Sequence, residues 1–177
     1  MSIISTVAPE QAGGRVAQVY RQVEQMWGRV PNTFQLYSAS PDMLEMQWQY
    51  IGYYFQHPTL GFPLLAAIRM LVSQDNACDY CIGMNEAMLI QRAGFTPEQT
   101  AAAKRDPSTL PLPAKDQAML LFVLKATRTP KAVSSADLAA LREQGWNDRD
   151  IFDAVNHGAR NVAVDILFNT FKIENDF

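Results

Sequence analysis

LLAAIRMLVSQDNACDYCIGMNEAML, residues 64–89, decides how the chain is read. Pro63 opens an apolar helix through Ile68, Leu71 and Val72, with proline at a first-turn position where its missing N–H costs nothing. The apolar pattern stops near Asp75 and Asn76, and a second helix begins there. This second helix carries Cys78 and Cys81 and runs to Ala93, with Gly94 as its C-terminal signal. Asn76 reads as its N-cap, which places both cysteines in the first turns.

The same signals recur outward from this stretch. Val16, Val19, Tyr20, Val23 and Met26 form one helical stripe ended by Gly28. Pro31, Phe34 and Tyr37 mark a short turn, and Ser40-Pro41 opens a helix through Met43, Met46, Tyr50 and Tyr53 that ends near His57-Pro58. Thr96-Pro97-Glu98-Gln99 is a capping box. An apolar helix follows from Ala114 to about Thr129. Ser134 with Asp137, and Asn147 with Asp150, start the last two helices, the final one running through Ile151, Val155, Val162, Ile166 and Phe171. No run alternates with period two and no Asn-Gly or Asp-Gly hairpin dipeptide occurs. The expectation is an all-α bundle of about eight helices forming one domain over residues 1–177.

Composition narrows the function classes. With 48% hydrophobic and 19% charged residues the chain is globular and not disordered. Its net charge is −3 and its Lys and Arg residues are scattered, so nucleic acid, whose binding needs phosphate neutralisation, is not an expected partner. The N-terminus lacks a basic segment followed by an apolar run, and the apolar stretches are interrupted by Pro or Arg, so neither a signal peptide nor a membrane span is expected. Two cysteines do not make a disulfide framework, and a reducing cytoplasm is the expected compartment.

Cys78 and Cys81 are the only cysteines, spaced C-x-x-C. Residues at i and i+3 share a helix face, within reach of an intramolecular disulfide. A helix N-terminus carries partial positive charge and unpaired N–H groups, which favour the nucleophilic thiolate. Two thiols buried as small hydrophobes would show the same spacing. A C-x-x-C at a helix start favours redox chemistry, with a sulfenic acid on one sulfur condensed by the other to a disulfide. Zinc needs about four ligands, and His57 and His157 are distant in sequence, so neither a metal nor any other cofactor is expected.

Cys78-Asp79-Tyr80-Cys81 at the start of a helix that follows a central apolar helix resembles the carboxymuconolactone decarboxylase / AhpD-like alkylhydroperoxidase family. Residues 64–89 carry the likeness most clearly. GFTPEQ, DQAMLLFVLKAT and LREQGWNDRDIFDAV through FNTF resemble its peroxidase-related branch. The resemblance implies an AhpD-like fold, a homo-oligomer and thiol peroxidase activity, with Cys81 attacking a peroxide, Cys78 resolving it and an unknown thiol as reductant. It also implies a histidine four residues after the second cysteine, where this chain has Asn85, and a glutamate twelve residues before the first, where it has Ala66. Asn85 can hydrogen-bond but is no base near neutral pH, and Ala66 can do neither. Substitutes to consider are Tyr80, by its hydroxyl, and His57, by folding back from the helix it precedes. His157 reads as a structural or surface residue, and Glu86, one position past Asn85, faces elsewhere. The alternative is an impaired relative acting as a redox sensor or a small-molecule-binding oligomer. The aromatic run WQYIGYYF, residues 48–55, is expected in a core or subunit interface, where Trp48 and Phe55 share a face.

Overall fold

The computed structural model describes residues 2–177, and among these every regular element is helical. Nine α-helices follow in order: α1 (Gly14–Trp27), α2 (Asn32–Tyr37), α3 (Pro41–Phe55), α4 (Phe62–Asp75), α5 (Asp79–Ala93), α6 (Pro97–Arg105), α7 (Ala114–Arg128), α8 (Ser135–Glu143) and α9 (Asp148–Phe171). All but α2 exceed six residues, in agreement with an all-α bundle of about eight helices. No helix among the described residues is long and apolar enough to cross a membrane.

The chain forms two compact units, one of residues up to His57 with Leu167–Asp176, the other of Pro58–Ile166 with Phe177. In the first unit, α1 buries Val16, Val19, Tyr20 and Val23, the stripe read from the sequence, and ends at Gly28 with a left-handed φ of 75°. The aromatic residues form a cluster. Trp27 lies 5.3 Å from Phe34, 5.8 Å from Trp48 and 6.0 Å from Phe55 between ring centroids. These are tilted and edge-on pairs, the arrangements the ring quadrupoles favour. Trp48 donates its indole N–H to Gln22. Arg15 bridges to Asp42 at 2.6 Å and Glu45 at 3.3 Å.

The second unit is built on α4, which is apolar nearly all round because it is buried on nearly all sides: Leu64 to Ile68 and Met70 to Ser73 are buried. It pairs with α5 and α7. The local start signals hold. Thr96 and Gln99 cap α6 reciprocally at 3.2 and 2.8 Å. The Ser134 N–H donates to Asp137 at 2.7 Å, and the Asp150 N–H to Asn147 at 2.9 Å. Gly158 on α9 permits close packing, since a Cβ there would lie 2.6 Å from Val123 Cγ1 of α7 and 3.5 Å from Ile68 Cγ2 of α4.

Candidate functional site

The turn between α4 and α5 differs from the sequence expectation. Asn76 does not cap α5 but closes α4 as its C-cap, and the N-cap of α5 is Cys78 itself. The Cys78 N–H donates to Ser73 O at 3.1 Å and the Ala77 N–H to Gln74 O at 3.2 Å, around Ala77 at φ 49°. This is a Schellman ending with alanine in the left-handed position that glycine normally holds. The Asn76 side chain is committed elsewhere, donating to Val72 O at 3.2 Å and to Asp165 Oδ2 at 3.1 Å.

The consequence is a compact dithiol. Cys78 at the N-cap and Cys81 in the first turn are both buried, at 1% and 5% exposure, and both are free thiols. The third member of the group is Asp165 of α9, fully buried. The sulfurs of Cys78 and Cys81 and a carboxylate oxygen of Asp165 lie within 4.8 Å of one another. A hydrogen-bonded frame fixes the carboxylate. Ser73 Oγ donates to it at 2.8 Å, and Asn161 Nδ2 donates to Ser73 Oγ at 2.7 Å and to Asp165 at 3.3 Å.

The electrostatics follow from this crowding. Burial pushes the Asp165 carboxyl above the usual carboxylate range, and hydrogen bonds from Cys81, Ser73, Cys78 and Asn76 pull the other way. The Cys81 thiol is pushed well above the ordinary thiol range. The hydrogen bond it shares with Cys78 contributes most, then burial, then the negative charge of Asp165. The helix N-terminus therefore does not leave a resting thiolate at Cys81, which is a departure from the sequence expectation. Cys81 holds its proton, and a carboxylate oxygen of Asp165 lies within 4.8 Å of its sulfur.

The other expected residues have separate places. Asn85 is buried on α5, accepts from Arg69 Nε at 2.6 Å and donates to Cys81 O at 2.7 Å. It thus anchors the backbone of the cysteine turn. Arg69 also bonds His157 Nε2 at 3.0 Å, and His157 is only 3% exposed. Tyr80 is buried with its ring edge-on to Phe177 at 5.6 Å. His57 belongs to the first unit, where its ring lies against Tyr53 and Tyr54. Ala66 is fully buried. Glu86 pairs with Lys104 of α6 at 2.7 Å. Asp165 escaped the sequence reading because α9 was phased on Ile151, Val155, Val162 and Ile166, yet Ile166 is 58% exposed. The face turned inward carries His157, Asn161 and Asp165. The available signal was three polar residues spaced four apart on one helix face.

No protein-family model matches the sequence, and no curated protein matches it at a significant level. Solved structures do resemble it. An uncharacterized peroxidase-related protein from Ralstonia eutropha JMP134, described as an AhpD core, superimposes with a TM-score of 0.87 over 99% of this chain and 92% of its own, at 24% identity. A peroxidase-related protein from Silicibacter sp. TM1040 gives 0.81 over 90% and 84%, also at 24% identity. The debrominase Bmp8 gives 0.79 over 99% and 93% at 15% identity, and a cysteine-to-alanine variant of it is solved with 2,3,4-tribromopyrrole. The fold of this chain is AhpD-like.

Proposed function

We propose that this AhpD-like chain is a thiol-dependent peroxidase in which Cys81 and Cys78 reduce a hydroperoxide and Asp165 moves the proton. The observation that carries the reading is the buried carboxylate gathered with both sulfurs, where the family resemblance left no base at position 85 or 66. A thiol whose proton is held tightly needs an acceptor poised within the site, and a carboxyl raised by burial is better matched to that transfer than an ordinary one.

Cys81 passes its proton to Asp165, and the thiolate attacks the terminal peroxide oxygen. The O–O bond breaks, the departing alkoxide takes the proton from Asp165 and leaves as alcohol, and Cys81 becomes a sulfenic acid. Cys78 then attacks that sulfur. The hydroxide leaves as water with the Cys78 proton, and the disulfide forms. An external thiol restores the pair by exchange. Arg69 and Asn85 position the turn that carries Cys81. A small-molecule peroxide and a second copy of the chain are the partners that go with this reading.

Cys81→Ser should abolish peroxide consumption. Cys78→Ser should still oxidise, but stop at a sulfenic acid that dimedone traps. Unchanged turnover in Cys81→Ser would sink the reading. A redox-sensor role predicts stoichiometric oxidation no faster than that of free cysteine. The likeness to a debrominase favours one further substrate class for the same dithiol. An aryl bromide would be reduced to the arene, with bromide released and the disulfide formed. An ion-selective electrode for bromide separates that outcome from peroxide reduction.

A further inference from the structure

Three potential anions sit where water does not reach. Cys78, Cys81 and Asp165 are all buried, and their donor atoms lie within 4.8 Å of one another. Besides the two thiols, Asp165 accepts hydrogen bonds from Ser73, Asn76 and Asn161, all uncharged. Such a set can be neutralised in two ways, by protons or by a cation. Two soft thiolates beside one hard carboxylate oxygen make a sulfur-dominated set, which selects zinc-like ions over magnesium or calcium.

We propose that the reduced dithiol and Asp165 form a binding site for a thiophilic divalent cation such as Zn²⁺, held by Sγ of Cys78, Sγ of Cys81 and one Asp165 carboxylate oxygen, with the fourth position left to a small ligand that enters with the ion. Sulfur ligands at about 2.3 Å and a carboxylate oxygen at about 2.0–2.2 Å from the metal need donors roughly 3–4 Å apart in a tetrahedron. The three donor atoms already lie within 4.8 Å of one another.

The frame around the carboxylate is what an outer ligand shell requires. Ser73 holds one oxygen at 2.8 Å and Asn76 the other at 3.1 Å, while Asn161 holds Ser73 at 2.7 Å. The carboxylate orientation is thus set before any ion arrives. His57 and His157, the remaining soft donors in the sequence, are not needed: Asp165 supplies the third ligand that the spacing of the cysteines could not reveal.

Binding is not a redox step. Two thiols lose their protons to solvent, the cation replaces them, and no electron moves. A disulfide has no thiolate to offer, so metal and disulfide exclude each other. Where the pair also reduces peroxide, the cation protects it from oxidation; that corollary rests on the peroxide reading, whereas the binding itself does not.

The test uses the reduced full chain, with Zn²⁺ titrated against a chromophoric chelator and Co²⁺ as the spectroscopic probe, and no peroxide present. The expected result is one ion per chain. The Co²⁺ form should show sulfur-to-cobalt charge transfer and the intense visible bands of a tetrahedral ion. Pre-oxidation with diamide should remove binding, as should Cys78→Ser and Cys81→Ser. Asp165→Asn keeps the size and one acceptor and should weaken Zn²⁺ binding at least as much as Ser73→Ala, for which a loss of about 10–100-fold is expected. A wild-type protein that gives no tetrahedral cobalt spectrum overturns the proposal without reference to any variant. So does Zn²⁺ affinity unchanged in Cys81→Ser or in Asp165→Asn. None of these readouts depends on peroxidase activity.

Discussion

At position 165 a carboxylate has been taken fully out of water and given two thiols for company. Its chemistry is set by neighbours and not by residue type. Burial raises it, and Cys81 beside it is raised further by its bond to Cys78, by burial and by the carboxylate charge. This makes a specific expectation for reactivity. Cys81 in the reduced protein should react with iodoacetamide more slowly than free cysteine at neutral pH, and its rate should still be climbing at a pH where that of free cysteine has levelled off. Mass spectrometry of alkylated peptides over a pH series checks this; a plateau near or below the ordinary thiol range would contradict it. Ser73 and Asn161 donate directly to the same carboxylate, and Asn161 also holds Ser73. The two cysteines were legible in the sequence because a C-x-x-C declares itself by spacing. Asp165 was not, because it meets the thiols only when α9 lies against the cysteine turn, and the polar spacing of His157, Asn161 and Asp165 does not by itself say that this face turns inward.

At the scale of elements, the starts of α6, α8 and α9 were legible because a capping box is a local bargain between residues three apart. The α4–α5 junction was misread for the opposite reason. Asn76 is a good cap by type, but its amide is drawn to Asp165. The turn then closes through Ala77 at φ 49°. A non-glycine residue in that region costs roughly 1–2 kcal/mol, which the surrounding structure sustains. Ala77→Gly should therefore raise unfolding stability by roughly 0.5–1 kcal/mol, the relief of strain less the added chain entropy of glycine. Urea denaturation measures it, and a loss of stability would show that Ala77 is not strained. The packing of α9 gives a second expectation. Gly158→Ala puts a methyl 2.6 Å from Val123 Cγ1, and should destabilise by about 1–3 kcal/mol as overpacking. Because Gly158 sits between His157 and Asn161, the shift should also reach the site, and peroxide-driven oxidation should slow with it.

For the molecule as a whole, the helical class was legible from periodicity and caps, since both are read along the chain. The division into two units was not, because it depends on which helices pair. Stability against pH can also be argued at this scale. Lys125 and the Ser134 cap hold the Asp137 carboxyl down at about 2. Its folded value lies below its unfolded one, so its contribution is present above the ordinary carboxylate range and lost as pH falls towards 2. Asp137→Asn should accordingly lower Tm at neutral pH, with the difference from wild type shrinking below pH 4; a constant difference across that window would contradict it. In the central proposal the buried carboxylate is the proton acceptor of a peroxide-reducing dithiol. The direct measurement is the rate of Cys78–Cys81 disulfide formation after mixing reduced protein with cumene hydroperoxide, followed by quenched alkylation and intact mass, in wild type and in Asp165→Asn. The prediction is oxidation much faster than that of free cysteine at the same pH, and slowing by about 100-fold or more in the variant. A wild type no faster than free cysteine, or a variant as fast as wild type, would contradict it.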